Sequence, residues 1–129
     1  MSSSGAFSRA DRLLSRRDFQ AVFARPRRSR DAFFTLLFCH NELGRPRLGL
    51  AISRRRVPRA VDRNRLKRQV RESFRHARPG LPAVDIVVMA GPEAAAAGAG
   101  ALRASLARHW QRVAAKTQSA EEGGDRADG

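Results

Sequence analysis

The stretch from Arg59 to Ala77 predicts a long helix that can bury only one narrow edge. With about 100° per residue, Leu66, Val70, Phe74 and Ala77 fall within about 80° of one another on a helical wheel. Most helical stability in proteins comes from tertiary packing of such an edge, because isolated helices are marginal in water. The chain must therefore supply other elements against which this helix packs, with its remaining surface facing solvent or a partner.

Beside the apolar edge, the same helix carries a continuous polar and cationic stripe. Its members are Asn64, Lys67, Arg68, Arg71, Arg75 and Arg78. A solvated face normally includes acids that pair with bases three or four positions away, and after Asp62 the only acid in this helix is Glu72. Like charges along one stripe repel each other until an anion neutralises them. The stripe therefore favours contact with nucleic acid over a merely solvated face.

The charge of the whole chain supports this interpretation. The 26 Lys and Arg outnumber the 12 Asp and Glu, which gives a formal net charge of +14, and 24 of these 26 bases are Arg. Residues 44–80 hold 13 bases and two acids, a net charge of +11. Arginine binds phosphate through two parallel hydrogen bonds. Its prevalence predicts nucleic acid as the partner.

Several other classes of protein are excluded by simple patterns. No apolar run approaches the roughly 20 residues needed to span a bilayer, so no membrane partner is expected. Residues 1–7 lack the apolar stretch of a secretory signal. The single cysteine, Cys39, cannot form an internal disulfide, which fits a reducing compartment. We expect a cytoplasmic protein.

Five further elements are expected around the long helix. The patterns predict a helix over 15–24 capped by Ser15, strands over 32–39, 47–53 and 83–90, and a helix over 102–116. The nearly unbroken apolar run of the strand over 83–90 indicates burial on both faces. Trp110 lies on the apolar stripe of the last helix, which favours a core position over base stacking. These elements predict an α+β domain with one layer of sheet.

The predicted domain spans residues 13–116. Residues 1–12 are expected to form a flexible basic arm, and residues 91–101, rich in Ala and Gly, a flexible connection. Residues 119–129 carry four acids and one Arg, a net charge of −3. We therefore expect residues 117–129 to form a disordered acidic tail.

The strand over 47–53 alternates between large and small side chains. Leu48, Leu50 and Ile52 point one way, and Gly49, Ala51 and Ser53 point the other. Turn residues at 41–46 predict that this strand forms a hairpin with the strand over 32–39. The small face fits tight packing under a helix, and it also fits the floor of a groove that a ligand approaches closely. The alternation leaves both interpretations open.

The partner is expected to be RNA that is partly single-stranded, since unpaired strands prefer a basic groove with stacking platforms. No protein nuclease site is apparent. The acids are scattered, and His40, His76 and His109 lie in different elements with no shared spacing. A metal-dependent or histidine-based site requires such groups to be clustered.

Four blocks of the sequence resemble the bacterial ribonuclease P protein component family. They are Arg63-Asn64-Arg65-Leu66-Lys67-Arg68 with Arg71-Glu72-Ser73-Phe74-Arg75, Asp18-Phe19-Gln20-Ala21-Val22-Phe23, Arg47-Leu48-Gly49-Leu50-Ala51-Ile52-Ser53-Arg54-Arg55, and Asp85-Ile86-Val87-Val88-Met89-Ala90. The resemblance covers residues 12–116 in the family's order and spacing. It implies an α+β fold of the ribosomal S5 domain 2-like type, with a single-layer four-stranded sheet and three helices in the order α-β-β-β-α-β-α. The signature helix would lie in a left-handed βαβ crossover, an exception to the usual right-handed rule.

The resemblance also implies a function. Members bind a large catalytic RNA, here expected at 1:1, and the pair acts as an endoribonuclease that removes the 5′ leader from precursor tRNA. The chemistry would come from the RNA and the Mg²⁺ that it binds, with no catalytic residue in the protein. The protein would position the substrate and screen phosphate repulsion.

Site residues follow from the resemblance by position. The leader cleft would comprise Phe19, Phe23, Thr35, Gly49, Ala51 and Ser53, and the RNA-binding residues would be Arg54, Arg55, Arg63, Asn64, Arg65, Lys67, Arg68, Arg71 and Arg75. Thr35 stands where members often carry tyrosine, so stacking there would be weaker or supplied elsewhere. For Phe19 and Phe23, exposure in a cleft and packing of a short helix both remain open.

Two alternatives compete with this function. A ribosomal or ribosome-assembly protein with a similar fold would explain the charge and the helix, but not the four matched blocks. A nucleoid-type DNA-binding protein would prefer duplex DNA and would show no effect of a leader.

Overall fold

The structure is a computed structural model that describes residues 15–123, with side chains described to residue 117. The predicted arm at residues 1–12 lies outside the described residues, as do residues 124–129 of the predicted tail. The helices are α1 (Arg16–Ala24), α2 (Ala60–Ala77), α3 (Pro92–Ala96) and α4 (Ala99–Gly123), and the strands are β1 (Arg27–Arg30), β2 (Phe34–His40), β3 (Arg47–Leu50) and β4 (Val84–Ala90). None of the described helices is long and apolar enough to cross a membrane.

The four strands form one sheet in the order β1-β2-β4-β3. β1 pairs with β2 and β2 pairs with β4 in antiparallel fashion, whereas β3 and β4 are parallel and are joined through α2. The predicted α+β class with a four-stranded sheet and a βαβ unit is confirmed. The hand of that crossover stays a prediction.

The predicted hairpin between the strands over 32–39 and 47–53 is wrong. β4 lies between β2 and β3, and the hairpin partner of β2 is instead β1. β4 takes the central position because its apolar residues bury both of its faces. The turn chemistry at 41–46 is present, with the Leu43 N–H donating to Asn41 Oδ1 at 2.9 Å and Gly44 at a φ of 77°. It leads the chain across the end of β4.

The main core lies between one face of the sheet and helices α2 and α4. The apolar edge predicted for α2 is buried there, through Leu66, Val70 and Phe74. Trp110 of α4 packs edge-on against Phe74 with ring centroids 5.8 Å apart, and its indole N–H donates to Ser73 Oγ at 2.8 Å. The predicted core position of Trp110 is therefore confirmed.

Two helix boundaries differ from the prediction. The connection expected over 91–101 contains the short helix α3, which begins at Pro92, a residue that suits the first helical turn. α4 begins at Ala99 and continues to Gly123, so the domain boundary predicted at residue 116 lies inside this helix. Thr117 is buried, so the packed part of this helix extends beyond Lys116.

Helix α1 packs on the other face of the sheet. It begins with a capping box in which Ser15 Oγ accepts from the Asp18 N–H and the Asp18 carboxylate accepts from the Ser15 N–H. Val22 is fully buried against Leu37 of β2 and Val87 of β4. α1 therefore covers the two central strands and leaves part of this face uncovered.

Candidate nucleic-acid interface

The uncovered part of the α1 face is one row of side chains that crosses all four strands. The register aligns Arg30 with Thr35 and Thr35 with Met89. Ala51 completes the row, since it directly follows β3 and its N–H donates to Val88 O at 2.9 Å. We call these four residues the open row. Arg30 is exposed, and the other three are only half-buried.

The row beside the open row is buried, and α1 packs on its two central residues through Val22. Leu37, Val87 and Gly49 are aligned in the next row and are buried. One row further, Cys39 is half-buried, and burial raises the pKa of its thiol. Gly49 is buried, whereas Ala51 in the open row is half-buried.

An ion-pair network fixes α1 on the sheet. Arg47 of β3 donates through Nε and Nη2 to the two carboxylate oxygens of Asp85 on β4, each at 2.9 Å. Arg47 Nη2 also lies 3.3 Å from Asp18 Oδ1 of α1, and Asn41 Nδ2 donates to Asp85 Oδ1 at 2.8 Å. The hydrogen bonds with Asp85 are the main reason why the pKa of Arg47 is raised. One guanidinium thus joins β3, β4 and α1.

The two phenylalanines of α1 occupy different environments. Their rings stack with centroids 6.4 Å apart and an interplanar angle of 20°. Phe19 is half-buried and packs on the same small cluster as Met89 and Ala51, whereas Phe23 is 46% exposed. Both interpretations made from the sequence therefore apply, one to each ring. Phe23 offers a flat surface on which a base can stack.

Three arginines lie at the carboxyl ends of β3 and β4. We call Arg54, Arg55 and Arg56 the arginine loop. The Arg56 guanidinium packs over Gly91, where an added Cβ would lie 3.0 Å from Nη2, and this contact holds the loop at the end of β4. Arg54 and Arg55 are exposed. The arginine loop and the open row are therefore at the same end of the sheet.

Ser53 lies in the turn beyond β3 rather than on the face of the strand. β3 ends at Leu50, and Ser53 is exposed. Its hydroxyl accepts from the Arg56 N–H at 3.2 Å, and its carbonyl accepts from the Val57 N–H at 2.9 Å. Ser53 therefore shapes the arginine loop and is not part of the floor formed by the open row.

Two of the predicted cations of α2 bind backbone carbonyls of neighbouring segments. Arg63 donates to the carbonyls of Val57 and Pro58 at 3.0 and 2.8 Å. Arg65 donates to the carbonyls of Ala95 and Ala97 at 2.7 and 3.3 Å. These two arginines therefore anchor α2 to the segment that precedes it and to α3, while they keep their positive charge.

Arg75 is also partly engaged, because it pairs with Glu72, whose pKa it lowers through a side-chain hydrogen bond. The remaining predicted residues of α2 make no hydrogen bond or ion pair with residues 15–117, whose side chains the structure describes. They are Asn64, Lys67, Arg68 and Arg71. These four are the part of the predicted stripe that is available to a partner.

No candidate metal site or histidine pair is formed by the described residues. Among residues 15–117, no group of three His, Cys, Asp or Glu side chains is arranged to hold a metal ion. His109 is fully buried, and its Nδ1 lies 2.7 Å from Ser29 Oγ. Its Nε2 lies 3.2 Å from Asp31 Oδ1, but the two atoms are not in hydrogen-bond geometry. These residues therefore offer no carboxylate cluster that would bind the Mg²⁺ implied by the resemblance.

Several residues of this surface carry no recognisable signal in the sequence. Met89 could not be assigned to a face of the sheet from the sequence. β4 is apolar on both faces, so its residues show no alternation. Arg30 lies in a strand with the sequence RRSR, which has no apolar alternation. Arg47 and Asp85 are far apart in the chain, and only the strand register brings them together.

Comparison with known proteins places the chain in a family. The family model described as Ribonuclease P matches residues 7–114. A Ribonuclease P protein component from Legionella pneumophila (strain Corby) is 43% identical over 109 residues, which cover 84% of this chain and 94% of the relative. The one from Methylococcus capsulatus is 46% identical over 104 residues, which cover 81% of each protein.

Solved structures agree with these relatives. The RNase P protein of Staphylococcus aureus matches with a TM-score of 0.73 and 30% identity, covering 81% of this chain and 94% of that protein. The RNase P protein of Thermotoga maritima matches with a TM-score of 0.71 and 32% identity, covering 79% of this chain and 96% of that protein. With its family model, relatives and fold in agreement, the chain belongs to the ribonuclease P protein component family.

Proposed function

We propose that the chain is the protein subunit of a cytoplasmic ribonuclease P ribonucleoprotein, which binds the catalytic RNA at 1:1 together with the 5′ leader of precursor tRNA. In this role it assists endonucleolytic removal of the leader. The RNA, with its bound Mg²⁺, supplies the bond-breaking chemistry. The protein supplies binding, position and charge.

The observation that carries the proposal is the juxtaposition of the open row and the arginine loop. A half-buried strip with the small side chains of Thr35 and Ala51 lets an RNA backbone approach the sheet closely. The exposed Arg54 and Arg55 at the same end of the sheet neutralise its phosphates. A single strand fits such a combination of groove, cations and the exposed ring of Phe23.

The stripe on α2 supports a second contact. Lys67, Arg68 and Arg71 follow one another at intervals that place them on one side of the helix, and they have no acidic partner among the described residues. Such a stripe matches the phosphate backbone of a folded RNA. We assign it to the catalytic RNA, so that the leader and the RNA subunit contact different parts of the protein.

The protein's own contribution to the reaction is positioning. Holding a leader in the open row fixes the adjoining cleavage site relative to the RNA subunit, which replaces an encounter between separate molecules with a unimolecular arrangement. The cations lower the repulsion between two polyanions that must lie side by side. Neither effect requires a catalytic side chain in the protein.

Affinity measurements with and without a leader test the proposal. The RNA subunit reconstituted with this protein is expected to bind precursor tRNA more tightly than mature tRNA, whereas the RNA alone should bind both equally. Ala51→Leu fills the open row and should reduce the preference for the precursor about tenfold, or ~1.4 kcal/mol. The control Ala104→Leu adds the same side chain at an exposed position of α4 and should leave the preference intact. Equal affinities for precursor and mature tRNA with the wild-type protein would contradict the proposal.

A further inference from the structure

We propose that Arg28 and Arg30 extend the leader site to the outer edge of the sheet, where they bind phosphates of the RNA strand that lies along the open row. This inference rests on the function proposed above. It adds to that function a set of contacts on β1, a strand that none of the four sequence blocks includes.

Alternation along β1 divides its residues between the two faces of the sheet. Ser29 faces α4, because its hydroxyl lies 2.7 Å from His109 Nδ1. Arg27 faces the same way, and its Nη1 donates to Lys116 O of α4 at 3.4 Å. Since successive side chains of a strand point to opposite faces, Arg28 and Arg30 point to the face that carries α1 and the open row.

The register gives these two arginines definite neighbours. Arg30 is paired with Thr35, so it belongs to the open row, and Arg28 is paired with Leu37 in the row that α1 covers. Both arginines are exposed, although they lie beside half-buried and buried residues. They therefore form the cationic rim of the site at the edge of the sheet.

Neither arginine is neutralised by a residue that the structure describes. Their side chains make no hydrogen bond or ion pair with the residues that the structure describes. The next residue, Asp31, is turned toward α4, where its Oδ2 accepts from Ser105 Oγ at 2.6 Å. An exposed arginine pair beside a groove, with the nearest acid in the chain turned away, is complementary to an anionic strand.

Among the described residues, the carboxylates on the α1 face lie at the other end of the sheet. Asp18 and Asp85 both pair with Arg47, in the row furthest from the open row. The open row is thus approached by cations from two sides, the arginine loop beyond β3 and Arg30 on β1. From Ala51 to Arg30 the row crosses three strand spacings of about 4.8 Å, or about 14 Å in total. A strand that enters at the arginine loop reaches Arg30 by following the row.

Arginines on an edge strand also have a simpler use. Charged side chains at a sheet edge prevent pairing with the strands of other molecules. In that case, removal of Arg30 would increase aggregation without changing RNA binding. The two uses therefore predict different results for the same variant.

The test is a binding series with the reconstituted ribonucleoprotein and precursor tRNAs whose leaders are shortened one nucleotide at a time. For long leaders at about 0.1 M salt, Arg30→Ala should weaken binding about fivefold and lower the salt slope by about 0.7, the value for one phosphate of a single strand. Arg28→Ala should act in the same direction. The loss should vanish once the leader is too short to reach β1. Arg103→Ala, at an exposed position of α4 on the opposite side of the sheet, controls for net charge.

The outcomes distinguish failure of the β1 assignment from failure of the proposed function. Equal affinities and slopes for Arg30→Ala and Arg103→Ala at every leader length would overturn the assignment of β1, and so would increased aggregation with unchanged binding. Arg30→Gln, which keeps a long polar side chain, should show the same loss of slope and exclude misfolding as its cause. If the wild-type complex does not distinguish long from short leaders, the proposed function itself fails.

Discussion

Replacing Arg47 with methionine removes the ion pair that joins β3, β4 and α1 while keeping most of the length of the side chain. Asp85 loses two hydrogen bonds of 2.9 Å and, among the described residues, keeps the one from Asn41. Asp18 loses its 3.3 Å contact with the guanidinium, although it still caps α1. The variant therefore weakens both the sheet and the attachment of α1.

The magnitude follows from burial. The Arg47 and Asp85 side chains are 16% and 9% exposed, so the pair is largely shielded from solvent. Removing one partner of a buried pair costs about 3–5 kcal/mol, because the other charge is left uncompensated. The remaining exposure and the Asn41 hydrogen bond place this pair near the lower limit, so we expect a loss of about 3 kcal/mol in the free energy of unfolding.

Urea denaturation measures this loss. With a slope of about 2 kcal/mol/M, the midpoint should fall by about 1.5 M. Arg45→Met provides a matched control, since it removes the same charge two positions away, where Arg45 is exposed and its side chain has no partner among the described residues. If Arg47→Met lowers the midpoint no more than Arg45→Met does, the pair contributes as little as an ordinary surface salt bridge, and Arg47 does not fix α1 on the sheet.

Three further predictions concern the RNA surface and the core. Lys67→Ala or Arg71→Ala should weaken binding of the catalytic RNA and reduce its salt slope by about one in a titration at several salt concentrations; an unchanged slope would place these residues outside the interface. Trp110→Phe removes the hydrogen bond to Ser73 and should cost about 1 kcal/mol in urea denaturation, whereas no change would show that this bond is not needed. Burial lowers the pKa of His109, so the unfolded chain binds more protons below about pH 6.5 and stability should fall as the pH drops from there. His109→Asn should flatten this dependence, and an unaltered profile would assign it to another group.

Asp31 acts in a different pH range from His109. Burial of Asp31 opposes its ionisation, but hydrogen bonds from Ser105 Oγ and from the backbone N–H groups of Phe34 and Phe33 outweigh that effect and lower its pKa to about 2. Its stabilising effect is complete above the unfolded value of about 4 and is lost as the pH falls through about 2. Asp31 therefore does not contribute to the loss of stability that begins below about pH 6.5 until the pH falls below about 4.

The elements that could be predicted from the sequence are those with a strong period of their own. Leu66, Val70 and Phe74 recur at helical spacing, so the buried edge of α2 was predictable and is confirmed. β1 was not predictable as a strand, because RRSR has no apolar alternation and its only buried residue is Ser29. Alternation of side chains along a strand also does not show which strand lies next to it in the sheet. For this reason the hairpin between the strands over 32–39 and 47–53 was predicted wrongly.

In the candidate site, too, some features follow from local sequence and others depend on the packing of distant segments. Residue type alone cannot separate Arg63 and Arg65, whose guanidinium groups bind backbone carbonyls, from Arg68 and Arg71, which have no partner among the described residues. The difference depends on which carbonyl lies within reach after folding. The position of Met89 likewise depends on the register of β4 with β2. Such information resides in the packing of distant segments, not in local sequence.

The most direct test of the proposed function is leader removal by a catalytic ribonuclease P RNA at low Mg²⁺ concentration, with and without this protein. Single-turnover cleavage of a precursor tRNA that carries a leader should be slow with the RNA alone and strongly stimulated by the protein, because the protein positions the leader and screens phosphate repulsion. Stimulation should be reduced by Ala51→Leu and unaffected by Ala104→Leu. Equal cleavage rates with and without the wild-type protein would contradict the assignment of this chain as the protein subunit that assists leader removal.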